Sequence, residues 1–286
     1  MPNVLITGAT RGLGRATAEA AAARGAHVLV AGRDAEVVRA VADSIDGEPV
    51  VVDLADLSSV RAAAAALPHV DAIACNAAVQ IVRGLRRTRN GLEETFAVNH
   101  LAHLALVDAL LSREARPGRV IFVSSATHDP GQWTGTPAPS EDPVSRLARP
   151  AADAPVTRTA GMRRYTTTKL LALATSAALA REHPGVQVLA FDPGVLPDTG
   201  LAHEHPALVR AAYGSVFRVL GFLPFVSSAR VSGSAMATLL CEDPVPARSG
   251  VYLDHRLNEV SPSARATDVS YQEAVLRDSR SLLAAL

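Results

Sequence analysis

Short apolar runs alternate with alanine-rich helical stretches through the first half of the chain. Residues 3–7, 27–31, 49–53, 71–75 and 119–124 read as strands. Residues 11–24, 34–45, 58–67 and 92–113 read as the helices between them. Runs such as Val28-Leu29-Val30 and Val120-Ile121-Phe122-Val123 are apolar on both faces, which is the pattern of a parallel sheet covered on each side. Farther on, 165–181 reads as a helix, 186–191 as a strand and 250–253 as a last short strand. The prediction is a doubly wound, Rossmann-like α/β fold in a single domain over 1–286. Two stretches break the rhythm. Residues 126–160 are rich in Pro, Gly, Thr and Ala, and read as an insertion, with a disordered linker between two domains as the alternative. Residues 197–226 are irregular, with Pro197, Pro206 and Pro224 among apolar and aromatic residues.

Composition narrows the function classes. The chain has 286 residues, of which 48% are hydrophobic, with 28 basic against 28 acidic side chains. A net charge of zero leaves no footprint for nucleic acid or an anionic membrane surface. No stretch approaches the roughly 18 apolar residues of a membrane span. The start of the chain has no basic segment followed by an apolar core, so no signal peptide is expected. Two cysteines, Cys75 and Cys241, make neither a disulfide framework nor a structural zinc site, and a reduced, cytoplasmic setting is expected. Only Lys169 among the basic residues is a lysine.

Directly after the first strand stands Thr7-Gly8-Ala9-Thr10-Arg11-Gly12-Leu13-Gly14, and a helix follows. Gly8 permits the tight turn, Gly12 lets backbone approach a pyrophosphate, and Gly14 lets helix pack against strand. Amides at the helix start then hold the phosphates. A purely structural turn is the rival reading. At the end of the second strand an NAD site wants a carboxylate for the ribose hydroxyls, yet the chain offers Ala31-Gly32-Arg33. Arg11 and Arg33 together suit the 2′-phosphate of NADP(H). The alternatives are that both arginines are solvated surface residues, or that Asp34 serves a ribose.

Tyr165-Thr166-Thr167-Thr168-Lys169 sets a phenol and the sole amine four residues apart on one helix face. A free phenol, with a pKa near 10, is a poor base at neutral pH. An adjacent ammonium stabilises the phenolate and brings it towards the range of acid–base catalysis.

With these residues in place the chain resembles the short-chain dehydrogenase/reductase family from residue 3 to about 200. The resemblance assigns Gly8, Thr10, Arg11, Gly12, Leu13 and Gly14 to the cofactor turn, and Asp53 with Leu54 to the adenine. It assigns Asn76, Ala77 and Ala78 to the segment beside the cofactor, and Pro193-Gly194 to the turn beside the nicotinamide. Asn99, Ser125, Tyr165 and Lys169 match the catalytic residues. Asn99 holds a water in relatives, Ser125 bonds the substrate oxygen, Tyr165 exchanges the proton, and Lys169 also binds the nicotinamide ribose. Departures are Cys75 for an asparagine, Ala78 for a glycine, Thr199 one residue late, and the long gap between Ser125 and Tyr165.

The insertion, with Asn99-His100-Leu101-Ala102-His103 and Ser124-Ser125-Ala126-Thr127-His128, is similar to the retinol dehydrogenase and protochlorophyllide reductase branch. Such insertions cover the helices through which other members dimerise, so a monomer is favoured over a homodimer. Ligands in such folds sit beyond the carboxyl ends of the strands, so 126–160 and 197–226 are expected to wall the substrate site. Tyr213, Phe217, Leu220, Phe222, Leu223 and Phe225 would make an apolar lid over a bulky hydrophobic carbonyl or alcohol, or would merely pack it down. His128 and Trp133 line that pocket or cap the loop. His100 and His103 read as structural, and His203-Glu204-His205 lacks further ligands for a metal. The expectation is an NADP(H)-dependent oxidoreductase acting on a small molecule. A non-catalytic NADP-binding redox regulator on the same fold is the alternative.

Overall fold

Among the described residues seven strands form one parallel sheet, ordered from edge to edge as the third, second, first, fourth, fifth, sixth and seventh in the chain. The computed structural model describes residues 1–196, 225–243, 245 and 247–286. The chain runs β1 (Asn3–Thr7), α1 (Gly12–Ala22), β2 (His27–Gly32), α2 (Ala35–Ser44), β3 (Glu48–Val51), α3 (Leu57–Ala66) and β4 (Ala72–Cys75). Next come α4 (Glu94–Phe96), a π turn (Ala97–Leu101) and α5 (Ala102–Leu111), which form one continuous helix. Then follow β5 (Arg119–Val123), a 3-10 turn (Ala126–His128), α6 (Val144–Ala148), α7 (Arg158–Glu182) and β6 (Gln187–Phe191). The remainder is α8 (Ala229–Cys241), β7 (Tyr252–Leu253), α9 (Ala264–Thr267) and α10 (Val269–Ala284).

Each face of the sheet is buried except at the exposed edge strand β3, which is why the inner strands read as unbroken apolar runs. Leu5, Ile73, Val120 and Val188 pack with α3, α5, α7 and α10 on one side. Ile6, Val30, Ile121 and Leu189 pack with α1, α2 and α8 on the other. Strand order reverses between β1 and β4, so their carboxyl ends part there and open a crevice. The sheet has distinct margins. Pro49 lies in β3 at one edge, and at the other Glu259 bridges Leu253 while the Val260 amide donates to Tyr252 O at 2.9 Å.

The differences from the pattern reading have local causes. Helix α7 begins at Arg158, well ahead of Tyr165, because the Thr157 hydroxyl caps the Ala160 amide at 3.3 Å. The stretch 126–160 thus ends inside a helix, and it carries α6, whose Val144 and Ala148 are buried. The 92–113 helix runs from Glu94 to Leu111 and carries the π turn within it. Strand β3 ends at Val51 instead of Asp53, and β7 holds two residues of the expected four. Helices α8, α9 and α10 follow no pattern that the sequence made plain.

Candidate active site

The glycine turn packs against the segment after β4. Gly8 has φ +66°, and a Cβ there would stand 2.9 Å from the Ala77 Cα. A Cβ on Gly14 would strike the Gly8 carbonyl and come within 2.6 Å of Asn76 Nδ2. Only hydrogen fits at either position. Thr7 is the hub that holds this contact. Its hydroxyl accepts the Asn76 and Ala77 amides at 2.9 and 3.0 Å, while Asn76 Nδ2 donates to Thr7 O at 2.8 Å. At the crevice Gly12 adopts φ +53°, and α1 begins at Arg11 with no capping side chain. Its first amides thereby stay available to phosphate oxygens. Arg11 and Arg33 are both exposed. Asp34 is committed elsewhere, since its Oδ1 accepts the Glu36 and Val37 amides at 3.1 and 3.3 Å as the cap of α2. Asp53 turns Oδ1 onto the Ala55 amide at 2.9 Å. A glycine cradle, an uncapped helix start and two guanidiniums without a partner among the described residues fit a dinucleotide.

Asn99 occupies the π turn, whose extra residue is a recurrent mark of functional helices. Its Oδ1 accepts the Val79 amide at 2.8 Å, and its Nδ2 donates to Val79 O at 2.9 Å and to Thr168 Oγ1 at 3.2 Å. The side chain therefore joins the segment after β4 to α7, beside Lys169. His103 links this residue to the cofactor turn. Its Nδ1 donates to Asn99 O at 3.2 Å, so Nε2 accepts from the Thr7 hydroxyl at 2.9 Å. Burial pushes His103 down to about 4 and His100 to about 3, so both rings are neutral at working pH.

Lys169 is 5% exposed, and its Nζ lies 5.4 Å from the centre of the Tyr165 ring. Nζ donates to Val123 O at 3.0 Å, and the Ser124 hydroxyl donates to Lys169 O at 2.8 Å. These bonds tie α7 to the carboxyl end of β5. Burial lowers Lys169 to about 8, opposed by the Asp192 carboxylate. Ser125 follows in extended backbone, its Oγ accepting the Thr127 amide at 3.3 Å. Its carbonyl accepts His128 Nδ1 at 2.7 Å, and His128 Nε2 accepts the Ser263 amide at 3.0 Å. His128 is thus a buried, neutral brace between the Ser125 loop and the C-terminal segment, its pKa lowered by burial. Trp133 neither lines a pocket nor caps the loop, for it is 95% exposed.

At the end of β6 the Pro193 carbonyl accepts the Ser232 hydroxyl at 2.7 Å, and Gly194 has φ +72°. Phe225 is half exposed. The rest of the expected lid (Tyr213, Phe217, Leu220, Phe222 and Leu223), Thr199 and His203-Glu204-His205 lie outside the described residues. Among the described residues no helix is long and apolar enough to cross a membrane.

Two pairs of residues at the site escaped the reading of the sequence. Asp192 stands just before Pro193-Gly194, and Tyr252 donates its hydroxyl to Asp192 Oδ2 at 3.0 Å. Glu93 is 1% exposed and pairs with Arg164 at 3.4 Å, next to Tyr165. Burial raises the Glu93 pKa, against the pull of the Phe96 amide that its Oε2 caps. Adjacency to Tyr165 and to Pro193-Gly194 was the available signal for Arg164 and Asp192; Tyr252 and Glu93 gave none.

Comparison with known proteins places this arrangement. Residues 2–136 match the family model described as short chain dehydrogenase. The chain is 31% identical over 278 residues to a Streptomyces protein provisionally named a daunorubicin C-13 ketoreductase, covering 92% of this chain and 87% of that one. It is 32% identical over 277 residues to protochlorophyllide reductase A of Hordeum vulgare, covering 87% and 71%. A crystal structure of an uncharacterized protein from Mycobacterium paratuberculosis superposes with a TM-score of 0.71 at 26% identity, over 99% of this chain and 93% of that one. Fold and site together define an oxidoreductase that binds a nicotinamide cofactor and acts on a small molecule. The chain belongs to the short-chain dehydrogenase/reductase family, on the branch of the protochlorophyllide reductases and retinol dehydrogenases.

Proposed function

We propose that the protein is an NADP(H)-dependent carbonyl reductase or alcohol dehydrogenase for a bulky hydrophobic substrate, with Tyr165 as its proton carrier. The observation that carries this reading is the buried Lys169 ammonium beside the Tyr165 ring at the end of β5. When bound, the nicotinamide supplies or accepts the hydride. The chain's own residues handle the proton and the orientation. In the reducing direction Tyr165 gives its hydroxyl proton to the substrate oxygen, and Lys169 stabilises the phenolate left behind. Ser125 donates to that oxygen as negative charge develops on it. Asn99 and Thr168 fix the face of α7 that carries the pair.

The preference for NADP(H) is supported by the exposed guanidiniums of Arg11 and Arg33, which take no partner among the described residues, and by the commitment of Asp34 to its helix cap. Gly8, Thr10, Gly12, Leu13 and Gly14 would cradle the pyrophosphate. Asp53 and Leu54 would meet the adenine; Asn76, Ala77, Ala78, Pro193 and Gly194 would flank the nicotinamide half. The names of relatives refer to daunorubicin, protochlorophyllide and retinol, all large carbon frameworks, and this favours a bulky apolar substrate. We read 1–286 as one domain, and a monomer, because α10, with α6 packed against it, lies over α5 and α7 of the same chain.

The test is purified protein with NADPH and a panel of bulky aldehydes and ketones. NADPH is expected to be consumed, and Tyr165→Phe to abolish consumption while NADPH still binds. NADPH binding with no turnover on any member of the panel would favour the regulator instead.

A further inference from the structure

We propose that Asp192 is a positioning residue for the proton-transfer pair: clamped by the Tyr252 hydroxyl and the Gly194 amide, its carboxylate is the counter-charge to the buried Lys169 ammonium. The geometry carries the assignment. Parallel pairing sets Val123 opposite Phe191, and the Ser124 amide donates to Phe191 O at 2.8 Å. Asp192 therefore emerges beside Ser124, at the end of the two strands from which Lys169 draws its carbonyl partner Val123 O. Neither carboxylate oxygen is left to wander. Oδ1 accepts the Gly194 amide at 2.8 Å, and Oδ2 accepts the Tyr252 hydroxyl at 3.0 Å. Tyr252 is 4% exposed, and His128 packs edge-on against it at 5.4 Å between ring centres.

Among the described residues no carboxylate other than Asp192 faces Lys169, and the buried His255 packs against Gly194, whose amide clamps Asp192. Facing Lys169 among the described residues are Tyr165 from its own helix, His103 from α5 and Asp192 from the end of β6. His103 is neutral, and the Tyr165 phenol is neutral until it gives up its proton. Facing Asp192 are Lys169, Tyr252 and His128, and Asp129 lies near the last two. His128 is neutral, and Tyr252 keeps its proton because burial and the Asp192 charge both raise its pKa. Asp192 is thus the opposite charge that makes a solitary buried ammonium tolerable.

The proposal rests on the catalytic reading of Lys169 only for its consequence, and its test does not depend on turnover. Lys169 is the chain's one lysine, so lysine labelled with carbon-13 at Cε gives one side-chain signal. Titration of the full-length protein, with and without NADP+, is expected to give a midpoint near 8 in the wild type without cofactor. In Asp192→Asn the midpoint falls by about one pH unit or more, and Asp192→Glu recovers part of that fall. Tyr252→Phe, which keeps the ring and frees the carboxylate, gives a smaller fall. A midpoint unchanged in a folded Asp192→Asn protein overturns the proposal. Should Asp192→Asn fail to fold, an unchanged midpoint in Tyr252→Phe overturns it equally. Where NADPH consumption is measurable, the alkaline limb of its pH profile moves with the Lys169 midpoint while the KM for NADPH stays within about twofold. A midpoint that moves as expected in a protein that turns over no member of the panel would count against Tyr165 and Lys169 as the catalytic pair, and not against Asp192.

Discussion

A buried amine beside a phenol is an unusual juxtaposition to maintain, and the residues around it explain its persistence. Among the described residues Lys169 has the Val123 carbonyl as partner and the Asp192 carboxylate opposing it, and its ring neighbour is the group whose proton we propose it governs. Tyr165→Phe removes the transferable proton and is expected to lower kcat by about 10²–10⁴-fold with cofactor affinity retained, as fluorescence titration with NADPH would report. At the other end of the crevice, Arg33→Ala should weaken NADPH binding by about tenfold to a hundredfold, on the basis of about 1.5–3 kcal/mol per charge-assisted bond. NADH binding should barely change. Equal losses for both cofactors would sink the assignment of Arg33 to the 2′-phosphate. These side chains were legible in the sequence because each had a local sign: a lone lysine four residues from a tyrosine, or an arginine where a carboxylate is usual. Asp34 was not legible. Only its bonds to Glu36 and Val37 reveal that it caps the start of α2.

Helix α7 carries the pair, and its entry is the least predictable part of the fold. Pro155 and Gly161 look like breakers, yet Gly161 is where the helix crosses residues 81 and 82. A Cβ there would strike the Ile81 carbonyl and stand 2.8 Å from Val82 Cα, so Gly161→Ala should cost about 1–3 kcal/mol in urea unfolding. Arg164 fastens the same turn by donating to Gly84 O at 2.6 Å and Pro155 O at 3.2 Å while facing Glu93. Arg164→Ala leaves a carboxylate buried without its partner and should cost about 3–5 kcal/mol, with much less when Glu93→Gln is added. A double variant as unstable as the single one would disprove that coupling. The π turn at Asn99 has no sequence signature either, since its extra residue shows only in backbone geometry. Helix α10 escaped notice because polar residues crowd its apolar stripe of Val275 and Leu276. By contrast β1, β2, β4 and β5 were plain, since burial on both faces leaves no polar position in their centres, whereas the exposed edge strand β3 had its end misplaced.

At the scale of the molecule, the buried histidines set the response to acid. His100 and His103 ordinarily titrate near 6.5, but their folded values lie near 3 and 4. Unfolded chains bind the protons that the folded protein refuses. Stability is therefore full above about pH 6.5 and declines as pH falls towards 4, by about 1.4 kcal/mol per pH unit for each ring. Urea midpoints between pH 7 and 5 would record the decline, and His100→Gln should reduce its slope. An unaltered slope would show that the ring at 100 is not among the groups responsible. The C-terminal helix is held across α5 and α7 by Arg280, which donates to both Asp108 oxygens at 2.8 and 2.9 Å and to Glu182. Sedimentation at micromolar concentration is expected to give a mass near 29.8 kDa.

The margins of the sheet have one more implication. A proline sits in one outer strand, and the chain's own backbone occupies the hydrogen-bonding groups of the other. Neither side offers a ready template onto which foreign β-structure could be added. Crowding or prolonged storage of the folded protein should therefore not seed fibres through this sheet.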